Sequence, residues 1–222
     1  MQIQRRSFLG TMGVSALTAS LDASAAAAAA SAASPDADDK WDTSWTERVN
    51  RKHRAAFDSP QFSGGAALIR AINWKTEYNE VYGTPPDDMS AVLVVRGEGI
   101  WLAMSDAFWQ AYKVGEENNF KSGATGKFRV ANPIASAPAD ATPSAAERTL
   151  PKFTASGNIV FACHRAFGSV IELVKKVDKL ATDEEAEKKA RTFLLPGVIL
   201  QPSGVFATLR AQEAGCHYIL AS

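Results

Sequence analysis

The sequence predicts an α/β fold, in which a mainly parallel five-stranded sheet is covered on both faces and its strands are joined by right-handed crossovers. Two observations carry this. Ala91-Val92-Leu93-Val94-Val95 is an unbroken apolar run between turn residues, the pattern of a strand buried on both faces. Segments of that kind then alternate with stretches of helical period, so that strand and helix follow one another along the chain.

The elements follow in order. Residues 35–50 are polar and read as an extended arm carrying Trp41 and Trp45. Residues 52–57 form a first strand. Ser59-Pro60 and Gly64-Gly65 punctuate, and residues 66–82 show helical spacing through Ala66, Ile69, Ile72, Trp74 and Tyr78 before Gly83-Thr84-Pro85-Pro86 stops the helix. Residues 91–95 form the second strand. A helix from Ile100 then places Met104, Ala107, Phe108 and Ala111 on one face. Residues 115–152, rich in Gly, Ser, Ala and Pro, read as a loop-rich insertion.

Residues 158–163 resume as a buried strand, and a helix with Phe167, Val170, Ile171, Val174 and Val177 inward follows. Thr182 with Glu185 forms a capping box, opening a charged helix braced by Glu184–Lys188 and Glu185–Lys189 pairs. Pro196-Gly197 leads into a strand at 198–201. Pro202-Ser203-Gly204 opens a short helix with Val205, Phe206 and Leu209 inward, and residues 216–220 supply the last strand after Gly215.

The amino terminus carries an address rather than a fold. Arg5-Arg6 runs into Ser7-Phe8-Leu9-Gly10 and a mild apolar stretch, and small residues from Ala23 to Ala33 offer several A-x-A cleavage sites. Residues 1–34 therefore read as a twin-arginine signal peptide, which implies the Tat export machinery as a partner and the periplasm as the destination. Retention of residues 8–33 as an anchor is the alternative, but Ala, Ser and Gly make a poor span and Asp22 interrupts the run. No stable membrane insertion is expected after processing.

Charge excludes some partners. The chain holds 24 basic and 24 acidic side chains, and removal of Arg5, Arg6 and Asp22 with the signal leaves 22 against 23. No basic field for nucleic acid follows from that balance. Two cysteines are too few for a disulfide scaffold, and three histidines scattered without ligand spacing give no metal site. No haem-attachment motif, no G-x-S-x-G elbow and no paired catalytic carboxylates occur, and no cofactor is expected. Gly97-Glu98-Gly99 after a strand invites a dinucleotide reading, but Leu102 stands at the third glycine position. Gly97 and Gly99 instead let the backbone turn sharply and leave a helix N-terminus free to hold an anion, which Arg96 would strengthen.

Cys163 is the candidate catalytic residue. It falls where a strand ends and a helix begins, at the carboxyl edge of a parallel sheet, where such folds place ligands. A helix N-terminus and Arg165 both favour the thiolate form that attacks sulfur. The bland reading is a small buried hydrophobe. His164 is a candidate proton donor, although adjacent strand residues point to opposite faces. Cys216 and His217 open the last strand and read as packing residues. Parallel strands put Cys163 and Cys216 at opposite ends of the sheet, roughly 15 Å apart, too far for a disulfide.

Leu195-Pro196-Gly197-Val198, Pro202-Ser203-Gly204-Val205, and Leu209 with Gln212, Gly215 and Tyr218 resemble the C-terminal signature of the DsrE/DsrF-like family. Upstream, the strand ending Arg96-Gly97-Glu98-Gly99, the segment from Thr125-Gly126 to Asn132-Pro133, and the strand ending Ala162-Cys163 fall in that family's order. The resemblance covers about residues 50–222. It implies a three-layer α/β/α sandwich, a homo-oligomer, and binding or relay of a small sulfur species through Cys163. Two departures stand out: Arg96-Gly97 replaces the His-Gly of many relatives, and Cys216 replaces an aromatic residue. The alternative is a non-catalytic module that binds a small anion or assembles with a partner, without thiol chemistry. Aromatic residues Trp101, Phe108, Trp109 and Tyr112 around one helix need cover on two faces, from the sheet and from either the insertion or a second subunit.

Overall fold

The computed structural model describes residues 41–222; the segment read as a twin-arginine signal and the first part of the expected arm lie outside them. Five strands form one sheet: β1 (His53–Ser59), β2 (Met89–Val95), β3 (Ile159–Cys163), β4 (Val198–Gln201) and β5 (His217–Leu220). Their order is β4-β3-β2-β1-β5, and every neighbouring pair is parallel. The helices are α1 (Ala66–Tyr82), α2 (Asp106–Ala111), α3 (Val114–Glu117), α4 (Pro143–Ala146), α5 (Leu150–Ala155), α6 (His164–Asp178), α7 (Asp183–Arg191) and α8 (Gly204–Glu213). This is the predicted α/β sandwich. β1 runs two residues beyond the expected end, to Ser59, and β5 begins one residue late, at His217.

Strand alternation sorts the core into two layers. Ala55, Phe57, Ala91, Leu93, Val95, Val160 and Ala162 pack with residues of α1, α6 and α7. Ala56, Val92, Val94, Ile159 and Phe161 face the other way and pack with Ala207 and Ala211 of α8. β2, in the middle, is buried at all seven positions, as its apolar run requires.

Three expectations are corrected. Within the arm, Ser44–Arg48 form a 3-10 helix rather than an extended segment, and Trp45 is buried with its ring 4.3 Å from that of Phe161. The second face of the sheet beyond α8 would otherwise be bare, and the tryptophan covers it. The helix expected from Ile100 is a 3-10 helix over Gly97–Ala103, and α2 starts only at Asp106, where the Ser105 hydroxyl accepts from Phe108 N at 3.4 Å. Met104 instead makes a bridge to Leu194. Val177, Val205 and Leu209, expected inward, are 43%, 62% and 54% exposed. In α8 the buried residues are Gly204, Ala207 and Ala211, because small side chains let the helix approach the sheet closely while the branched ones turn outward.

The insertion is anchored at several points. Asn132 Nδ2 donates to Leu102 O at 2.9 Å and Met104 O at 2.6 Å, and its Oδ1 accepts from Ile134 N at 3.1 Å. Phe120 stacks on Phe62 at 4.0 Å. Trp101, Phe108, Trp109 and Tyr112 are all buried, with Phe108 stacked on Tyr112 and Trp109 against Phe120 and Phe62. The insertion thus supplies part of the cover that this aromatic group needs. Between these anchors the main-chain bonds of residues 119–131 are local: the isolated bridge of Lys121 to Phe128 and turn bonds such as Ser122 N to Lys127 O at 2.8 Å and Arg129 N to Phe120 O at 2.9 Å. Hydrogen exchange should therefore run faster across 119–131 than in β2 and β3, with Ile134 NH protected by Asn132. Equal protection through the segment would show it to be as tightly held as the sheet.

Candidate functional site

The carboxyl ends of the strands gather the candidate residues on one face. Positions 56, 58, 92, 94, 159 and 161 alternate onto the α8 side, and the same alternation carries Arg96, Cys163, Gln201 and Tyr218 there. Cys163 lies opposite Gln201 in the β3–β4 register. Val95 lies opposite Ala162, so Arg96 follows at the level of Cys163. Two of the residues singled out in the sequence, Arg96 and Cys163, therefore share an edge and a face.

Cys163 is the last residue of β3 and the N-cap of α6. Its Sγ accepts from Ala166 N at 3.4 Å, replacing the hydroxyl or carboxylate usual at such a cap. The side chain is buried, at 6% exposure. His164, the first residue of α6, turns away: its Nε2 lies 3.0 Å from Glu187 Oε1, and its ring meets Trp41 edge-on at 5.1 Å. Burial would raise the Glu187 carboxyl, but hydrogen bonds to His164 and Arg191 hold it below its ordinary value. His164 thus serves α6–α7 packing in this arrangement. Arg165 is exposed on the first turn.

Arg96 is not a free cation. Its Nε and Nη2 bind Asp58 Oδ1 and Oδ2, both at 2.8 Å, in a bidentate pair. Tyr218 OH donates to the same carboxylate at 2.9 Å. Asp58 is 2% exposed, so its charge is matched from two strands, and those hydrogen bonds hold the Arg96 pKa above its usual value. The arginine stem lies across Gly204, where a Cβ would collide with Arg96 Cδ. Glycine at the start of α8 is what lets the guanidinium reach Asp58.

Gly97 and Gly99 serve close approach of main chains. A Cβ on Gly97, at φ +52, would lie 2.5 Å from Pro60 O, and one on Gly99 would meet Ser59 O. The helix that they open is a 3-10 helix rather than an α-helix, and the Arg96 guanidinium beside it is bound to Asp58. Among the described residues no group of three or more His, Cys, Asp or Glu side chains is arranged to hold a metal ion, and no helix is long and apolar enough to cross a membrane.

Gln201 is the residue that sequence reasoning passed over. It is fully buried, its Nε2 donates to Asp42 O at 2.6 Å and Leu200 O at 3.1 Å, and its Oε1 has no partner among the described residues. An unmatched buried acceptor costs about 1–3 kcal/mol. Here it stands on the strand next to the thiol. Asp58 was also missed, although an acid closing an apolar strand is a legible signal of a buried charge with a partner; Tyr218 entered only as a residue of the C-terminal resemblance.

Cys216 occupies a different environment, just before β5 at the amino edge of the sheet. Both cysteines are free, as their opposite edges require. Burial pushes the Cys216 thiol up to about 11, against the pull of Arg54. At pH 8 only about one molecule in a thousand then carries the Cys216 thiolate. Iodoacetamide on the native protein should label Cys163 before Cys216, read by peptide mapping; labelling of Cys216 alone would remove Cys163 as the working thiol. Arg96→Met should cost about 3 kcal/mol in urea unfolding, because it strands the buried Asp58 charge. Tyr218→Phe should cost about 1 kcal/mol.

Compared with models of known protein families and with curated proteins, the chain matches none.

Proposed function

We propose that this chain is an exported DsrE-like protein that binds a small sulfur species at Cys163 and relays it. The observation that carries the reading is the placement of the thiol: Sγ caps α6 at the carboxyl edge of a parallel sheet, with an amide N–H directed at it and the unpaired Gln201 acceptor on the neighbouring strand. Ligands of such sheets sit at that edge. The resemblance of the C-terminal motifs to the DsrE/DsrF-like family points to the same cysteine.

With polysulfide as donor the step balances without an external oxidant. The Cys163 thiolate attacks a terminal sulfur, a new S–S bond forms at Sγ, and the adjacent S–S bond of the donor breaks. The shortened polysulfide leaves with the electron pair, and Cys163 holds a persulfide anion. The N–H of Ala166 is directed at Sγ, the sulfur bonded to the anionic outer one, and the amino end of a fifteen-residue helix favours negative charge nearby. Burial of the thiol restricts access to small donors.

Self-association belongs to the same reading. Val205 and Leu209 on α8 and Tyr218 and Leu220 on edge strand β5 are exposed apolar or aromatic residues on the face that carries the site. One observation favours a second reading, an assembly module without thiol chemistry: Cys163 already performs a structural task as helix cap, and Arg96 is neutralised by Asp58.

Intact-mass analysis after polysulfide exposure separates the two. The wild type and Cys216→Ser should gain about 32 Da per transferred sulfur and Cys163→Ser none. Absence of any adduct, or an adduct confined to Cys216, would favour the assembly module. Export has its own test: replacing Arg5 and Arg6 by lysine should leave precursor in the cytoplasm, because the translocon reads the arginine pair as an address. Unchanged delivery would refute the twin-arginine reading.

A further inference from the structure

A cavity lies at the amino end of the sheet, away from Cys163. It measures about 390 Å³, at the lower end of the range for small-molecule sites, and opens between β1, β5 and α1. His53 and Ala55 share a face of β1, and Ala55 belongs to the α1 side of the core. His217 lies opposite Ala55 in the β1–β5 register, so both histidines face α1. From α1 come Trp74 and Tyr78, whose rings are 5.4 Å apart; His53 meets Tyr78 edge-on at 5.3 Å. Lys52 and Arg54 also line it.

Three properties of this cavity define what fits it. Its lining contains no acidic residue, whereas four of its side chains are basic. Trp74 is only half-buried although it is the largest residue type, so a face or edge of the indole is open to the cavity. His217 is exposed because β5 is the edge strand and α1 does not roof its amino end. Gly215, at φ +88, completes the wall: a Cβ there would lie 2.9 Å from Arg54 Cζ and displace a guanidinium that donates to Ala214 O at 3.1 Å.

We infer that this cavity is a binding site for a small planar aromatic ring bearing an anionic group, with the ring against Trp74 and Tyr78 and the anion between His53, His217 and Lys52. Aromatic walls select a ring by offset or edge-to-face packing. Basic side chains without a counter-charge in the lining select a carboxylate, sulfonate or phosphate over an amine. The volume is ample for one ring with its substituent. The site is separate from Cys163, which lies at the carboxyl ends of the strands, so neither reading depends on the other.

The test uses the purified protein, benzoate as the probe, and cyclohexanecarboxylate, benzylamine and inorganic phosphate as comparisons. Binding is followed by calorimetry and by the Trp74 indole N–H resonance. Benzoate should bind saturably below about 10 mM and shift Trp74, with affinity falling about tenfold or more in Trp74→Leu and in His217→Glu. His217 is exposed, so His217→Glu should leave the fold intact even if Trp74→Leu does not. Benzylamine should not bind, and cyclohexanecarboxylate and phosphate should bind more weakly than benzoate. No saturable benzoate binding, an unchanged affinity in His217→Glu, or equal binding of benzylamine would overturn the proposal. Phosphate or cyclohexanecarboxylate binding as tightly as benzoate would overturn its aromatic half.

Discussion

β2 is buried on both faces along its whole length, and the rest of the structure answers that constraint. A parallel sheet tolerates no wet face at its centre, so each side of β2 must be roofed by something apolar. On one side α1, α6, α7 and the 3-10 helix after Gly97 provide a thick layer dominated by aromatic and branched residues. On the other, among the described residues, the helical cover is α8, through Ala207 and Ala211. Trp45 fills the remainder, packed on Phe161 from outside the regular α/β unit. The thin second layer explains why Gln201 reaches chain contributed by residues 41–49, through its contact to Asp42 O.

The thin layer also shapes the chemistry at the carboxyl edge. With α8 and the segment around Trp45 overhead, Asp58, Arg96, Cys163, Gln201 and Tyr218 come to one face, and the polar groups there need partners close at hand. Asp58 does so completely, through Arg96 and Tyr218, and in doing so ties β1, β2 and β5 together at their ends. Gln201 does so only in part. An edge that is electrostatically closed at Asp58 and open at Gln201 directs attention to β3 and β4, where the thiol is.

The two ends of the sheet differ in kind. The carboxyl end is close-packed: Gly97, Gly99 and Gly204 are sites where a methyl group would strike a neighbouring chain. The amino end beside β5 is open, with aromatic and basic side chains around a cavity. Close packing suits a site that admits only a small reactive species, and openness suits reversible binding of a larger, planar one.

Much was legible in the sequence because it depends on local pattern. The run 91–95, the helical period of 66–82, the Thr182–Glu185 capping box and the Ser203-Gly204 helix start each declare an element from neighbouring residues alone, and the alternation of elements declares the parallel sheet. Cys163 at a strand–helix junction was legible for the same reason. The tertiary structure decided what depends on partners distant in the chain. Arg96 reads as a free cation until Asp58, thirty-eight residues away, is seen to bind it. Trp45 reads as part of a polar arm until a bare sheet face calls it in. Val205 and Leu209 read as inward by their apolarity, whereas the backbone of α8 approaches the sheet only through Gly204, Ala207 and Ala211. Local period says which residues share a face; only the packing of the whole chain says which face is covered, and by what.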